Sequence, residues 1–161
     1  MTRRRCLGAM AGILMIVGVV GGCSGGGGHD DGRPARGGCV SVGEQEPNAT
    51  ALTAQFLGDP FVGDCAIVAG SLFDPADVDS YRVLVQEDFT LVVTLDHSPF
   101  VDFDIQLFNA DTGELIRDCG INVVPEICVV PFVVRGRGLA VDVVVTSALG
   151  AGTYTLTIDT Q

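Results

Sequence analysis

The stretch Gly152-Thr153-Tyr154-Thr155-Leu156-Thr157-Ile158-Asp159 decides the fold of this chain. Tyr154, Leu156 and Ile158 take every second position; Thr153, Thr155, Thr157 and Asp159 take the others. Successive side chains of an extended backbone point to opposite faces, so this pattern gives one apolar and one polar side. Aromatic and β-branched residues strengthen the strand reading. The same alternation recurs upstream. Phe89, Leu91, Val93 and Leu95 alternate with Thr90, Val92 and Thr94, and Phe103, Ile105 and Leu107 with Asp102, Asp104 and Gln106. Leu139, Val141, Val143 and Val145 alternate with Ala140, Asp142, Val144 and Thr146, and Tyr81, Val83 and Val85 form a shorter version. Cys65–Leu72 and Ile127–Val134 are apolar with a weaker period, and Pro131, which has no amide hydrogen to donate, puts the second at a sheet edge or a bulge.

Turn chemistry separates these runs. Gln86-Glu87-Asp88 is a tight connection, Asn109-Ala110-Asp111-Thr112-Gly113 a hairpin loop, and Arg135-Gly136-Arg137-Gly138 and Gly150-Ala151-Gly152 are two more turns. No apolar segment carries helical spacing with caps, and no internal repeat is present. Seven to nine short strands at such intervals predict an all-β domain, an antiparallel, jelly-roll-like β-sandwich.

The N-terminal residues predict where that domain resides. Arg3, Arg4 and Arg5 precede an apolar run from Leu7 to Val20 of 14 residues. This matches the roughly 7–15 residues of a signal-peptide core and falls short of the roughly 20 of a membrane-spanning helix. Val20-Gly21-Gly22-Cys23 then resembles a bacterial lipobox, which implies cleavage after residue 22 and a lipid on Cys23. The expected organisation is a cleaved leader at 1–22, a lipidated Cys23 with a flexible glycine-rich linker to residue 38, and a folded domain at 39–161. His29-Asp30-Asp31 falls in that linker and reads as a solvated polar run. Ser24 after the cysteine resembles outer-membrane sorting, so a lipid-anchored envelope protein, with its domain outside the cytoplasm, is expected.

Charge and cysteine usage agree. The chain carries 9 Lys+Arg against 20 Asp+Glu, a net of −11. Removing Arg3, Arg4 and Arg5 leaves six arginines against 20 acids, a net of −14. Such a surface repels nucleic acid and suits cations or basic partners. Nucleotide binding is not expected either, because no glycine loop follows a strand and opens a helix. Cys39, Cys65, Cys119 and Cys128 remain in the domain, an even number that predicts disulfides with three connectivities. Cys39–Cys65 and Cys119–Cys128 are favoured because each closes a local loop. A zinc site would lack a Cys-x-x-Cys pair and has only His29 and His97 to draw on.

From Glu44 onward the chain resembles a known family. The residues are Glu44-Gln45-Glu46-Pro47-Asn48-Ala49-Thr50, Val68-Ala69-Gly70-Ser71-Leu72, Asp77-Val78-Asp79-Ser80-Tyr81-Arg82-Val83, Asp102-Phe103-Asp104-Ile105-Gln106-Leu107, Asp111-Thr112-Gly113-Glu114-Leu115 and Gly152-Thr153-Tyr154-Thr155-Leu156-Thr157-Ile158. Their order and spacing are similar to the bacterial pre-peptidase C-terminal domain. The resemblance implies a β-sandwich over residues 44–159 and a non-enzymatic role; the family includes collagen-binding modules of secreted collagenases.

The Glu44–Asn48 element also has a chemical reading of its own. Pro47 pushes Glu46 toward extended backbone, where Glu44, Glu46 and Asn48 share one edge. Calcium takes six to eight hard oxygen ligands, so these residues supply half a site and Asp77 and Asp79 are candidates for the rest. The resemblance implies calcium at a matching segment in some collagen-binding members, although Ala49 stands where those members carry another oxygen. The alternative is that Glu44 and Glu46 are solvated while Asn48, Asp77 and Asp79 bond local loops.

Catalytic readings find less support. Asp102 and Asp104 share the polar side of an alternating strand and read as solvated or loop-bonding. Asp96-His97-Ser98-Pro99 reads as a loop, because triad members come from separate elements. The sequence therefore predicts an envelope lipoprotein whose sandwich binds an extracellular protein or polysaccharide, with Phe108 a candidate contact on the outer face. A purely structural or assembly role is the alternative, and a metal-assisted hydrolase would need acids converging in a cleft.

Overall fold

A computed structural model describes residues 38–59, 64–120, 123–134 and 138–161. The leader at 1–22, the lipid site at Cys23 and the linker to residue 37 lie outside the described residues.

The described residues form ten strands and no helix: β1 (Cys39–Gly43), β2 (Gln55–Gly58), β3 (Cys65–Leu72), β4 (Val78–Val85), β5 (Phe89–His97), β6 (Asp102–Asn109), β7 (Leu115–Asp118), β8 (Glu126–Phe132), β9 (Leu139–Leu149) and β10 (Gly152–Thr160). They assemble into two five-stranded sheets. Sheet A has the order β1-β3-β10-β5-β8, and sheet B the order β2-β4-β9-β6-β7. From β1 to β6 the chain alternates between the sheets. That path explains the one departure from an antiparallel sandwich: β1 runs parallel to β3 and β2 parallel to β4, because each pair is separated by a strand of the other sheet. The other pairings are antiparallel.

Period two places the core. Tyr154, Leu156 and Ile158 of β10 face Tyr81, Val83 and Val85 of β4, Phe103, Ile105 and Leu107 of β6, and Val141, Val143 and Val145 of β9, all buried. Phe89, Leu91, Val93 and Leu95 of β5 complete the inner face of sheet A with Val68 and Leu72 of β3. Each large side chain so buried stabilises by about 1.5–3 kcal/mol. Gly113 closes the expected hairpin loop at φ +71°, a conformation L-residues rarely adopt. Gly70 serves differently. The Tyr154 ring lies over it, and a Cβ there would stand 2.5 Å from the ring.

Three strands, β1, β2 and β7, escape the sequence pattern because they are four or five residues long, lie at sheet edges and bury none of their residues fully. Pro131 falls on β8, an edge strand, as expected. His97 is a correction. It is not in a loop: β5 runs through it, and its buried ring packs 5.2 Å from that of Phe103.

Both disulfides have the expected connectivity. Cys39–Cys65 joins the first register pair of β1 and β3, and Cys119–Cys128 ties the end of β7 in sheet B to β8 in sheet A. The second bond crosses the sandwich where the sheets are open at β7 and β8. The Cys119→Ser/Cys128→Ser double variant is expected to lose about 3 kcal/mol of unfolding free energy in urea, the loop-closure value for a short bridge. A loss below about 1 kcal/mol would show that packing alone holds this edge.

Candidate cation site and outer-face hollow

β1 ends at Gly43, and residues 44–48 then turn across the end of the sandwich through a cis Glu46–Pro47 peptide. Glu44 prolongs the sheet ladder by donating its N–H to the Ala69 carbonyl at 3.2 Å. Its side chain turns inward. Glu44 Oε2 accepts from the Ser71 N–H at 2.9 Å and the Ser71 hydroxyl at 3.4 Å, and Oε1 accepts from the Tyr81 hydroxyl at 3.3 Å and from Asn48 Nδ2 at 3.4 Å. Glu46 Oε2 accepts from the Asn48 N–H at 2.9 Å, and the Asn48 carbonyl accepts from the Ser80 N–H at 3.1 Å. Asn48 is thereby drawn to full burial.

Asp79 projects from β4 on the same inward parity as Tyr81, so the strand that builds the core also buries a carboxylate completely. Tyr154 donates to Asp79 Oδ2 at 2.5 Å, and the Tyr154 and Tyr81 hydroxyls lie 2.6 Å apart. A chain of contacts therefore runs Asp79–Tyr154–Tyr81–Glu44 from sheet B to sheet A and back. Burial is the main force raising the Asp79 carboxyl to about 8, with the facing Glu44 carboxylate adding to it and the Tyr154 hydroxyl opposing it. Burial likewise holds both tyrosine hydroxyls protonated well above the ordinary range.

One oxygen each of Glu44, Glu46 and Asp79 fall within 4.8 Å of one another. Two buried oxygens here, Asp79 Oδ1 and Asn48 Oδ1, have no hydrogen-bond donor. Carboxylates facing each other carry no hydrogen to share, so the arrangement calls for a proton or a cation between them. An all-oxygen donor set with an uncommitted amide oxygen fits a hard cation such as calcium. The structure thus brings together four of the five expected residues: Glu44, Glu46, Asn48 and Asp79. Asp77 is the correction. It precedes β4 in a turn, where Oδ2 accepts from the Phe73 N–H at 2.7 Å and Oδ1 from the Val78 N–H at 3.0 Å, and its carboxylate is outside the cluster.

A second acidic group, Asp102, Asp104 and Glu126, also has oxygens within 4.8 Å. Asp102 and Asp104 are half-buried rather than simply solvated, and burial is the main cause of the raised Asp104 carboxyl, with Asp102 and Asp118 adding to it. Glu126 is fully buried and escaped the sequence reading. Its signal was parity: it shares the inward positions of Cys128 and Phe132 on β8.

The outer face of sheet B carries a hollow. A row runs across the face from Phe56 through Arg82, Asp142 and Phe108 to Leu115. Arg82 grips Asp142 with two bonds of 2.7 and 2.8 Å and donates a third, of 2.7 Å, to the Ala51 carbonyl. Residues 49–51 wall one side of a hollow of about 270 Å³ and residues 109–113 the other, with Ser80, Phe108, Asp142 and Val144 at its floor. Phe108 is half-buried there, not fully exposed.

Compared by sequence, the chain matches no family model and no curated protein. By structure it is similar to the pre-peptidase C-terminal domain of collagenase from Bacillus anthracis, with a TM-score of 0.52 at 14% identity, over 73% of this chain and all of that one. It is also similar to PliG, a periplasmic inhibitor of g-type lysozyme, from Aeromonas hydrophila (TM-score 0.48, 15% identity, 76% of this chain and 97% of that one) and from Salmonella Typhimurium (0.46, 12%, 67% and 100%). The fold is that of a pre-peptidase C-terminal domain.

The buried acid makes a prediction about pH. An unfolded chain releases the Asp79 proton near 3.8, whereas the cation-free fold keeps it to about 8. The folded state therefore binds more protons between these values, and stability falls as pH rises through that window. In chelator, the melting temperature is expected to decline from about pH 4 to 8, and Asp79→Asn to flatten that decline. An identical slope in the variant would remove Asp79 as its source.

Proposed function

We propose that this chain is a non-catalytic binding domain outside the cytoplasm, displayed at the envelope by a lipid on Cys23. Its outer sheet B face takes a macromolecular ligand, and calcium held by Glu44, Glu46, Asn48 and Asp79 fixes the shape of that face. The observation that carries this reading is the pair of fully buried oxygens without donors, Asn48 Oδ1 and Asp79 Oδ1, beside two further carboxylates. Calcium is the ion such ligands suit, because it accepts many oxygens in flexible geometry.

The site has a direct route to the ligand surface. Asn48 leads without a break into Ala49-Thr50-Ala51, one wall of the hollow. A cation that clamps residues 44–48 to β3 and β4 thus sets where that wall stands. The hollow combines an aromatic ring with the Asn109 amide and the Ser80 and Thr50 hydroxyls, a mixture suited to a sugar ring of a polysaccharide. An extracellular protein segment is the second occupant of the same class of surface. The two disulfides fit an oxidising compartment. Glu44, Glu46 and Asp79 each accept a hydrogen bond from a backbone amide or a hydroxyl of the domain itself, which supports a holding role over a hydrolytic one.

Calcium added to chelated protein is expected to raise the melting temperature by several degrees, and Asn48→Leu to abolish the response. Co-sedimentation with insoluble polysaccharides and with fibrous collagen should then show calcium-dependent retention that Phe108→Ala weakens while leaving the calcium-induced melting shift intact. A melt indifferent to calcium would overturn the cation site, and retention unchanged in Phe108→Ala would overturn the placement of the ligand.

A further inference from the structure

Sheet A presents a different kind of surface. Its outer face opens into a hollow of about 820 Å³ at the end bordered by Glu44, Asp96 and Ser98, and away from that end its central row runs Ser41–Ile67–Thr157–Thr94–Ile127 across all five strands. The next row carries Val92 beside Val129, and beyond it Thr90 lies beside Pro131. Ile127 and Val129 are each 51% exposed. We propose that this face is the contact between two copies of this chain, packed sheet against sheet.

Charge selects the face. Residues 39–161 hold 18 acids against four arginines, Arg82, Arg117, Arg135 and Arg137, so most surfaces of one copy repel another. Among the described residues, the outer face of sheet A carries two charges, Asp96 and Asp159, one on each side of its uncharged central row. Depletion of charge at the centre with a polar rim is the pattern of protein interfaces. Area is sufficient. Five strands about 4.8 Å apart span about 24 Å, and strands of seven or eight residues run about 25 Å. One copy therefore offers about 600 Å² and a face-to-face pair buries about 1,200 Å², the lower bound of specific, stable interfaces. The alternatives are less favoured. The outer face of sheet B carries Arg82, Asp142, Asp102 and Asp104, so it lacks a charge-depleted centre. Edge-to-edge pairing through β8 would meet Pro131, which withholds an N–H from any added strand. A sheet A contact leaves both sheet B hollows facing outward, so the dimer would present two ligand surfaces.

Sedimentation velocity of the purified protein across a concentration series tests this. A monomer–dimer equilibrium is expected, and both Val129→Asp and Thr157→Asp should weaken association about tenfold or more, because each buries an unpaired charge. Melting temperature and circular dichroism of the variants establish that they fold. Thr157 sits at the centre of sheet A, away from the β8 edge, so it separates face packing from edge pairing. A protein that stays monomeric throughout, or a dimer that survives Thr157→Asp in the folded variant, would overturn the proposal. So would a face that becomes protected from exchange only when polysaccharide is added.

Discussion

The contact on which the rest of this structure depends is the line Asp79–Tyr154–Tyr81–Glu44. It puts a carboxylate inside a hydrophobic sandwich, where an isolated charge costs far more than the domain's whole stability. Two tyrosine hydroxyls relieve part of that cost, and only two hydroxyl protons serve three contacts. The remainder falls to a proton on Asp79 or to a cation. Because Asp79 and Tyr81 belong to β4 while Tyr154 belongs to β10 and Glu44 follows β1, the answer to this electrostatic demand also decides how the two sheets are joined at this end.

The two ends of the sandwich solve the same problem differently. Where β7 and β8 lie open, a covalent bond, Cys119–Cys128, ties sheet to sheet. At the Glu44 end no bond crosses between the sheets; the polar line does so. A covalent tie is insensitive to ions and pH, whereas the polar line responds to both. The hollow walled by residues 49–51 therefore inherits that sensitivity from the turn immediately before it. Arg82 reinforces the same wall from the other side by bonding the Ala51 carbonyl.

The fold was legible wherever a strand buries one face and exposes the other. Tyr154, Leu156 and Ile158 could be assigned to the core from alternation alone, because burial selects a side with period two. Edge strands such as β7 bury too little to leave a pattern, and Leu115 and Arg117 gave no sign of their pairing with β6. The candidate site was legible in part for the same reason. Glu44, Glu46 and Asn48 follow one another closely in sequence, so local spacing sufficed. Asp79 required knowing that β4 faces inward at that position, and its parity with Tyr81 held the clue. Asp77 shares that parity but stands before the strand begins, so two backbone amides claim it. Glu126 was hidden because an acid at an inward position breaks the very rule used to find the core. No sequence period announces the tyrosine pair either; only the sheet packing brings Tyr81 to Tyr154.

That pairing offers a direct test. The chain has two tyrosines and no tryptophan, and both tyrosines border the candidate cation site. Terbium has a calcium-like preference for oxygen ligands, and its emission is excited by nearby tyrosine. Strong tyrosine-excited terbium emission is expected from the purified protein, displaced by calcium and lost in Asn48→Leu. Emission that is absent, or that survives both calcium and the Asn48 substitution, would contradict the cation site.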